Sequence, residues 1–278
     1  MGITMQSYNS SSQAISSQPS EWTLERVKLA VSQGRRVHSS AVDIGNGLLV
    51  KYGTRASSRE AEATMLVATH TTVPVAKIYA TLHDEAESIT YIVQSKLPGQ
   101  SLSVLLPTLQ PDQQAIIESE LKEILRKLSC LDTYGQMGMV GKPSEFLGFH
   151  PFGIHGPWLA TNLSEFLHWP IDTANSAVGC TVIEPVDLSN FDFEKSPIFS
   201  HGDLVPENIL IDNGHVSGII DWEHAGWYPY FWNSYIAQRN HYRYPKTWTD
   251  MVPNIMTLYE RDWRVFFHNI YAKAYLFL

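Results

Sequence analysis

One stretch of the sequence, residues 201–223 (HGDLVPENILIDNGHVSGIIDWE), constrains the fold more than any other. Two apolar runs in it are joined by Asn213-Gly214, and an Asn-Gly pair supplies the positive φ angles of a tight two-residue turn. The stretch therefore predicts a β-hairpin. Asp203 and Asn208 lie in the loop that enters the hairpin, and Asp221 lies where the chain leaves it.

Three polar side chains are thereby expected at one end of the hairpin. Transfer of a γ-phosphoryl group depends mostly on positioning and charge neutralisation. A carboxylate such as Asp203 can accept the proton of an attacking hydroxyl, and the oxygens of Asn208 and Asp221 are ligands of the kind that Mg²⁺ takes. His201, next to Gly202 in a tight loop, is expected to brace the loop through a backbone hydrogen bond rather than to act chemically.

These motifs resemble those of a known family. His-Gly-Asp-Leu-x-Pro-x-Asn-Ile-Leu at 201–210, followed by Ile-Ile-Asp-Trp-Glu at 219–223, resembles the aminoglycoside phosphotransferase and choline kinase-like family. That family is the small-molecule branch of the protein-kinase-like fold, and Ala-Gly-Trp-Tyr-Pro at 225–229 resembles its fungal members. The resemblance implies that Asp203 is the catalytic base, Asn208 a metal ligand and Asp221 the main metal ligand.

The N-terminal half offers groups for the nucleotide. A strand-like apolar run contains Lys51, and the resemblance implies that this lysine contacts the α- and β-phosphates of ATP. A helix predicted over 58–69 carries two glutamates able to pair with it, Glu60 and Glu62, on different faces. The spacing from Glu62 to the segment that opens at Pro74-Val75 fits the family better, so the resemblance implies Glu62 as the partner. The predicted apolar stripe of this helix consists of Ala61, Met65, Leu66 and Ala68.

A strand over 90–95 runs into Lys-Leu-Pro-Gly at 96–99, and this resembles the hinge between two lobes. The resemblance implies that backbone atoms of Ser95 and Leu97 hydrogen-bond the adenine of ATP. The predicted fold is α+β: a bilobal protein-kinase-like fold with a small antiparallel-sheet lobe and a larger, mainly helical lobe. Their predicted bounds are residues 21–94 for the small lobe, 95–97 for the hinge, and 98–278 for the catalytic and acceptor-binding lobe, after a Ser/Gln-rich disordered lead-in at 1–20.

Two departures from the family pattern keep alternatives open. The region 34–41, which should cover the phosphates, has one glycine and little room before Lys51. This suggests an abbreviated N-terminal lobe, and with it a degenerate nucleotide-binding or scaffold protein. No Ala-Pro-Glu segment follows Asp221, so a regulated activation loop has little sequence to occupy. A small hydroxylated acceptor is therefore favoured over the alternative of a protein serine/threonine kinase.

The rest of the C-terminal half is expected to be mostly helical. A helix beginning at 111–112 has one apolar face, and residues 133–160 are expected to form a long ordered loop because they are rich in glycine, proline and aromatic residues. Residues 156–169 resemble the family's insertion near the acceptor pocket. Segments 249–259 and 261–278 predict closing helices.

Composition and charge exclude several other classes. A chain of 278 residues with 44% hydrophobic and 17% charged residues is typical of a globular protein, and a net charge of −8 argues against a nucleic-acid partner. No apolar run approaches the length of a membrane span, and residues 1–20 lack the basic start and apolar core of a secretory signal. Cys130 and Cys180 are too few and too far apart to indicate a disulfide framework or a zinc site. These features together predict a cytoplasmic protein.

Three histidines near the motif, His201, His215 and His224, raise the alternative of a metal-dependent hydrolase. His215 falls just after the predicted turn and is expected to be exposed. The three therefore give no common ligand face, and this alternative is disfavoured.

Overall fold

The computed structural model describes residues 22–53, 58–133, 135–146, 158–179, 181, 186–238 and 241–275. The predicted lead-in at 1–20, Gly156-Pro157 of the predicted insertion, Cys180 and the last three residues lie outside these ranges. None of the helices that the structure describes combines the length and the apolar composition needed to cross a membrane.

A five-stranded antiparallel sheet forms the N-terminal part of the described chain. Its order is β1-β2-β3-β5-β4. The strands are β1 (Arg35–His38), β2 (Ala41–Gly45), β3 (Leu48–Gly53), β4 (Ile78–Asp84) and β5 (Ile89–Ser95). Gly45, Asn46 and Gly47 all have positive φ angles and make the turn between β2 and β3. Two strands fit before Lys51, so the sheet is not abbreviated there, contrary to expectation.

Two helices flank this sheet on opposite faces. Helix α1 (Leu24–Gln33) is capped by the Thr23 side chain and covers the face that carries Val50 and Val93. Helix α2 (Ser58–His70) lies on the other side, and its buried residues are Glu60, Ala61, Ala63, Thr64 and Val67. The predicted stripe is thus partly wrong, because Met65 is exposed. The sequence of α2 is amphipathic around a face that contains a carboxylate.

The chain then enters the larger part of the molecule through the predicted hinge. After it come β6 (Gln100–Ser101), α3 (Leu102–Leu105) and α4 (Pro111–Ser129). Strand β6 pairs with β12 (Ile209–Asp212), which pairs with β13 (His215–Ile219). The predicted hairpin and its turn are confirmed, with φ angles of 50° at Asn213 and 83° at Gly214.

Residues 133–160, expected to form a long loop, contain short paired strands in their described part. These are β7 (Gly138–Met139), β8 (Lys142–Pro143), β9 (Glu145–Phe146) and β10 (Trp158–Leu159). Strand β7 joins β8 to β14 (Gly226–Tyr228), and β14 pairs with β11 (Ile198–Ser200). A strand of two residues is too short to show an alternating pattern in the sequence, so the formation of these strands depends on the strands with which they pair.

The described helices that close the fold are α5 (Leu163–Val178), α6 (Trp232–Gln238), α7 (Lys246–Ile255), α8 (Glu260–Arg264), a π-helical stretch (Val265–Tyr271) and α9 (Ala272–Tyr275). Two predictions differ in detail. The helix expected over 249–259 begins earlier and ends earlier, and the one expected over 261–278 is broken into three helical pieces.

Two buried clusters form the core of this larger part. The first is aromatic and includes Trp158, Phe166, Trp232 and Phe266. The second is mainly aliphatic and contains residues of α4, the hairpin and α7. Burying each large apolar side chain contributes about 1.5–3 kcal/mol. Adjacent residues of the 201–208 loop divide between the clusters, because Leu204 packs in the second and Val205 in the first. The loop thus lies on the seam between the two cores.

Candidate active site

The loop before the hairpin brings Asp203 and Asn208 together. Residues Pro206–Asn208 form a short 3₁₀ turn. From it the Asn208 side-chain amide donates hydrogen bonds to the backbone oxygen of Asp203, at 2.9 Å, and to Asp203 Oδ2, at 3.5 Å. Because the amide nitrogen is used in this way, the orientation of Asn208 is fixed and its Oδ1 atom faces away from Asp203.

Asp221 occupies the left-handed region of backbone space, with φ 69° and ψ 58°. Two ring N–H groups hold the two carbonyls that precede it. His201 Nε2 donates to Ile220 O at 2.8 Å, and Trp222 Nε1 donates to Ile219 O at 2.9 Å. These two hydrogen bonds fix the peptide groups that precede Asp221 and so stabilise its unusual backbone conformation.

The predicted structural role of His201 is confirmed. The backbone N–H of Asp203 donates to His201 Nδ1 at 3.2 Å, so the proton of the neutral ring is on Nε2. His201 is fully buried and packs against Trp222, with the two rings tilted by 59° and their centroids 4.6 Å apart. Burial lowers the pKa of His201, because the charged ring would lose its hydration. The imidazole links the Asp203 loop to the Asp221 backbone.

Lys51 on β3 contacts Asp221 across the cleft between the five-stranded sheet and the hairpin. Its Nζ atom lies 2.8 Å from Asp221 Oδ1 and 2.5 Å from Glu60 Oε1. Burial by itself lowers the pKa of Lys51, but the negative charges of Glu60 and Asp221 outweigh burial and raise it. The pKa of Asp221 is lowered despite its burial, because the ammonium of Lys51 stabilises the carboxylate. Both members of this pair are charged.

The structure corrects the expected partner of Lys51: it is Glu60, not Glu62. Glu60 is buried in α2, on the face shared by Ala63, Thr64 and Val67. Glu62 is exposed on another face and lies beside Gly141. Positions two apart on a helix point about 200° apart, so only one of the two can reach the sheet. The stripe at positions 60, 63, 64 and 67 was the signal in the sequence that could have identified Glu60.

The predicted hinge packs tightly on the hairpin. Ser95 N donates to Lys77 O at 2.9 Å, and Ser95 Oγ accepts from Lys77 N at 2.9 Å. The side chain of Leu97 covers Gly218, where a Cβ atom would come within 2.5 Å of Leu97 Cδ1. The backbone N–H of Ser95 is therefore already used. A role for the Ser95 carbonyl and for the Leu97 backbone in binding a base stays a prediction.

The turn expected to cover the phosphates is short but lies beside Lys51. It consists of Ser39 and Ser40 between β1 and β2, and both hydroxyls lie within hydrogen-bonding distance of His38 Nδ1. Ala41 pairs with Lys51 across the sheet, and Tyr52 N donates to Ser40 O. The backbone of this turn thus lies beside the strand that carries Lys51, while its two hydroxyls face His38.

Two residues that the sequence did not single out support the loop that carries Asp203. Ser200 Oγ donates to Asn233 Oδ1 at 2.5 Å and accepts from Gly202 N at 3.0 Å. Gly202 has φ 82°, and a Cβ atom there would overlap the carbonyl of His224. Asn233 lies on α6, outside the motif, so no short-range pattern indicated it. This chain of contacts fixes the loop directly before Asp203.

The donors near the hairpin fit a Mg²⁺ ion better than a transition metal. Asp221 offers a carboxylate that already faces a cation, the ammonium of Lys51, and Asn208 offers an amide oxygen. In the part of the chain that the structure describes, no group of three or more His, Cys, Asp and Glu side chains could hold a metal. His201 is used in backbone contacts, and the exposed His215 contacts Glu120. These contacts argue against the hydrolase alternative.

The sequence of this chain is similar to those of known phosphotransferases. The sequence model of the APH phosphotransferase enzyme family matches residues 52–266. Hygromycin-B 4-O-kinase of Escherichia coli is 26% identical over 152 residues, which cover 50% of this chain and 40% of that protein. The match therefore spans less than half the length of this curated relative.

Two of the solved structures that share the fold are complexes with nucleotides. One is a thermostable mutant of aminoglycoside phosphotransferase APH(4)-Ia in a ternary complex with ADP and hygromycin B, with a TM-score of 0.52 and 12% identity. It covers 88% of this chain, which covers 82% of that one. The other is the GDP complex of aminoglycoside 2'-phosphotransferase-IIIa, with a TM-score of 0.54, 14% identity and coverages of 84% and 80%. At these identities the likeness concerns the fold alone, and it agrees with the predicted bilobal kinase-like class.

Proposed function

The chain belongs to the APH phosphotransferase enzyme family, and from this membership we propose that it transfers the γ-phosphoryl group of ATP to a hydroxyl of a small molecule. The observation that carries the proposal is the meeting of Lys51 with Asp221, across 170 positions of sequence, beside the loop that holds Asp203 and Asn208. Phosphoryl transfer needs these groups in one place. The lobe bounds of 21–94, 95–97 and 98–278 are part of the proposal.

Each residue has a role that its contacts support. Asp203 accepts the proton of the acceptor hydroxyl and orients its oxygen toward the phosphorus. Lys51 binds phosphate oxygens and is held extended by Glu60. Asn208 and Asp221 would hold Mg²⁺, which neutralises charge on the phosphates when it is bound. The backbones of Ser95 and Leu97 receive the base.

The path of the chain after Asp221 favours a small acceptor. A 3₁₀ turn at Trp222–His224 leads directly into β14 at Gly226, which pairs with both β11 and β7. This leaves no room for an extended loop that could dock a peptide, so the protein-kinase alternative has no structural support in this region. Hygromycin B, the substrate named for the curated relative, is the first acceptor to test.

The test uses Asp203→Asn, with Asp212→Asn as the matched control. Asp212 lies on the same hairpin, and its carboxylate contacts only Asn213 among the described residues. Both variants and the wild type would be assayed for phosphate transfer from labelled ATP to hygromycin B and to a panel of hydroxylated amines and sugars. Binding of Mg·ATP would be followed by thermal shift.

We expect Asp203→Asn to abolish transfer while ATP binding survives, and Asp212→Asn to retain both. Full transfer by Asp203→Asn would refute the assignment. A wild-type protein that gains no stability from Mg·ATP and transfers no phosphate would instead support the degenerate-scaffold alternative. Incorporation into generic protein substrates alone would support a protein kinase.

A further inference from the structure

Helix α2 packs in the core of the larger part of the molecule rather than in the core of the five-stranded sheet. Its buried residues Ala63 and Val67 lie in the second cluster, together with Trp222. Among the described residues, none of α2 belongs to the cluster between the sheet and α1. Glu60, on the same face of α2, nevertheless binds Lys51 of the sheet. The lysine is therefore anchored to a helix that packs on the opposite side of the cleft.

A two-residue turn of the larger part contacts α2. Val140 and Gly141 join β7 to β8, since Met139 pairs with Lys142. Gly141 has φ 72° and the φ of Val140 is not positive, which matches a type II turn. A Cβ atom added to Gly141 would lie 3.6 Å from Arg59 Cγ, and Arg59 Nη1 lies 4.0 Å from Met139 Sδ. This 140–141 turn therefore packs against the first turn of α2.

The 140–141 turn is also bonded to the segment that follows Asp221. Val140 N donates to Ala225 O at 3.0 Å. Met139 pairs with Gly226, and a Cβ atom added to Gly226 would lie only 2.6 Å from Met139 Cα, so the close approach requires a glycine. Ala225 and Gly226 come directly after the 3₁₀ turn that begins next to Asp221. The 140–141 turn thus connects this segment to α2.

These contacts form a closed ring. From Asp221 the ring passes through Lys51 and Glu60 to α2, then through the 140–141 turn to Ala225, and back along the chain to Asp221. Every link in it is a direct contact or a covalent segment. A displacement of the 140–141 turn would therefore move α2 and, with it, the carboxylate of Glu60 relative to Lys51.

We propose that the 140–141 turn tethers α2 to the segment after Asp221 and thereby positions Glu60 against Lys51. The turn itself does not touch the nucleotide and acts through α2. In protein kinases the ion pair between the corresponding lysine and glutamate is controlled by phosphorylation of the activation loop. A permanent tether makes such control unnecessary, in agreement with the short path of the chain after Asp221. The inference rests on the proposed function, which gives Lys51 a phosphate to bind.

Val140→Pro tests the link to Ala225. Proline is favoured at the second position of a type II turn and has no N–H group, so the turn should keep its shape and lose the hydrogen bond. Val140→Ala is the matched control, because it removes two methyl groups and keeps the N–H. We expect the dissociation constant of Mg·ATP to rise about three- to tenfold in Val140→Pro, as the loss of one hydrogen bond predicts, and to change little in Val140→Ala.

A double-mutant cycle separates positioning from a general loss of stability. If the turn acts through Glu60, Val140→Pro should not weaken nucleotide binding further in a Glu60→Gln background. A role in stability alone would weaken binding by the same factor in both backgrounds. Equal factors would therefore overturn the inference. Unfolding in denaturant shows whether each variant folds.

A reversible disulfide tests the contact with α2 without weakening it. In Arg59→Cys/Gly141→Cys the sulfur at position 59 would take the place of Arg59 Cγ, 3.6 Å from the Cβ atom at position 141, which is close to disulfide geometry. The exposed carboxylate of Glu62, 2.6 Å from that Cβ atom, can turn into solvent. We expect the oxidised protein to bind Mg·ATP and to transfer phosphate as well as the reduced protein does. The two single-cysteine variants are the controls.

The outcomes separate the inference from the function. A wild type that neither binds Mg·ATP nor transfers phosphate refutes the proposed function, and with it the inference. If the wild type is active and the disulfide abolishes its activity reversibly, the tether alone is overturned, because α2 must then move away from the turn. Failure of the disulfide to form in a folded double variant also overturns the tether, since the turn would then lie away from α2.

Discussion

Lys51 Nζ and Asp221 Oδ1 lie 2.8 Å apart, although they belong to different parts of the chain. The ammonium occupies the side of Asp221 that faces the cleft and stays bound to Glu60 at the same time. In the proposed reaction Lys51 exchanges Asp221 for phosphate oxygens and retains Glu60 as its anchor. The pair therefore preserves the position of both groups before the nucleotide binds.

The first prediction concerns the anchor. Glu60→Gln should lower phosphoryl transfer about ten- to hundredfold, because a buried hydrogen bond between charged groups is worth about 1.5–3 kcal/mol. Glu62→Gln is the matched control and should be nearly silent, since Glu62 is exposed. Steady-state rates of both variants check this. Equal losses in the two, or a larger loss in Glu62→Gln, would contradict the assignment of Glu60.

The second prediction concerns Gly202. Alanine with a left-handed backbone costs about 1–2 kcal/mol, and at Gly202 its Cβ would also overlap the backbone of His224. Gly214 has nearly the same φ, 83°, and no described atom within 4 Å of an added Cβ. Gly202→Ala should therefore lose more unfolding free energy in denaturant titrations than Gly214→Ala. It should also lose activity, which Gly214→Ala should keep; equal stability losses would count against the close approach.

A third expectation follows from the contacts of Ser200. Ser200→Ala removes the hydroxyl of this contact, and Asn233→Leu removes the carboxamide. Each variant should lower kcat more than it raises KM for ATP, because the Asp203 loop loses support while the nucleotide cleft is unchanged. The two changes break one hydrogen-bonded unit, so the double variant should cost clearly less than the sum of the singles. A double-mutant cycle on kcat measures this. Simple additivity would mean that the two residues act separately.

The fourth prediction concerns pH. Burial lowers the pKa of His201 in the folded protein, whereas an unfolded histidine titrates near 6.5. Below about pH 6.5 the unfolded chain binds a proton at this histidine and the folded protein does not. The free energy of unfolding therefore falls as the pH falls. Between pH 7.5 and 5.5 this amounts to at most about 1.4 kcal/mol.

Chemical unfolding at the two pH values tests the effect. His201→Gln can still donate to a carbonyl and lacks the titration, so its stability should depend less steeply on pH than that of the wild type. His70→Gln, which changes an exposed histidine at the end of α2, is the control and should keep the wild-type slope. An unchanged slope in His201→Gln would show that His201 does not contribute.

Much of the site could be predicted because its signals are local. The turn at Asn213-Gly214 and the apolar runs around it determine the hairpin, and the hairpin in turn places Asp203, Asn208 and Asp221 at one end. The strand that carries Lys51 could also be predicted, because it is an apolar run that follows a turn. In each case the residues that form the element are also the residues that determine it.

The partner of Lys51 could not be predicted from a local pattern. Glu60 and Glu62 occupy one helix, and the choice between them depends on which face of α2 meets the sheet. Asn233 is a comparable case, since its contact with Ser200 joins segments that have no common pattern. The short strands β7–β10 likewise exist only through their neighbours, so composition suggested a loop.

The position of the Asp203 loop on the seam between two cores has a consequence for folding. Leu204 and Val205 are neighbours in sequence but pack in different clusters, so we expect the loop to acquire its shape only after both clusters have formed. Recovery of activity during refolding would then lag behind burial of the tryptophans of either core. Turnover would report the completion of the whole C-terminal part rather than the formation of any single cluster.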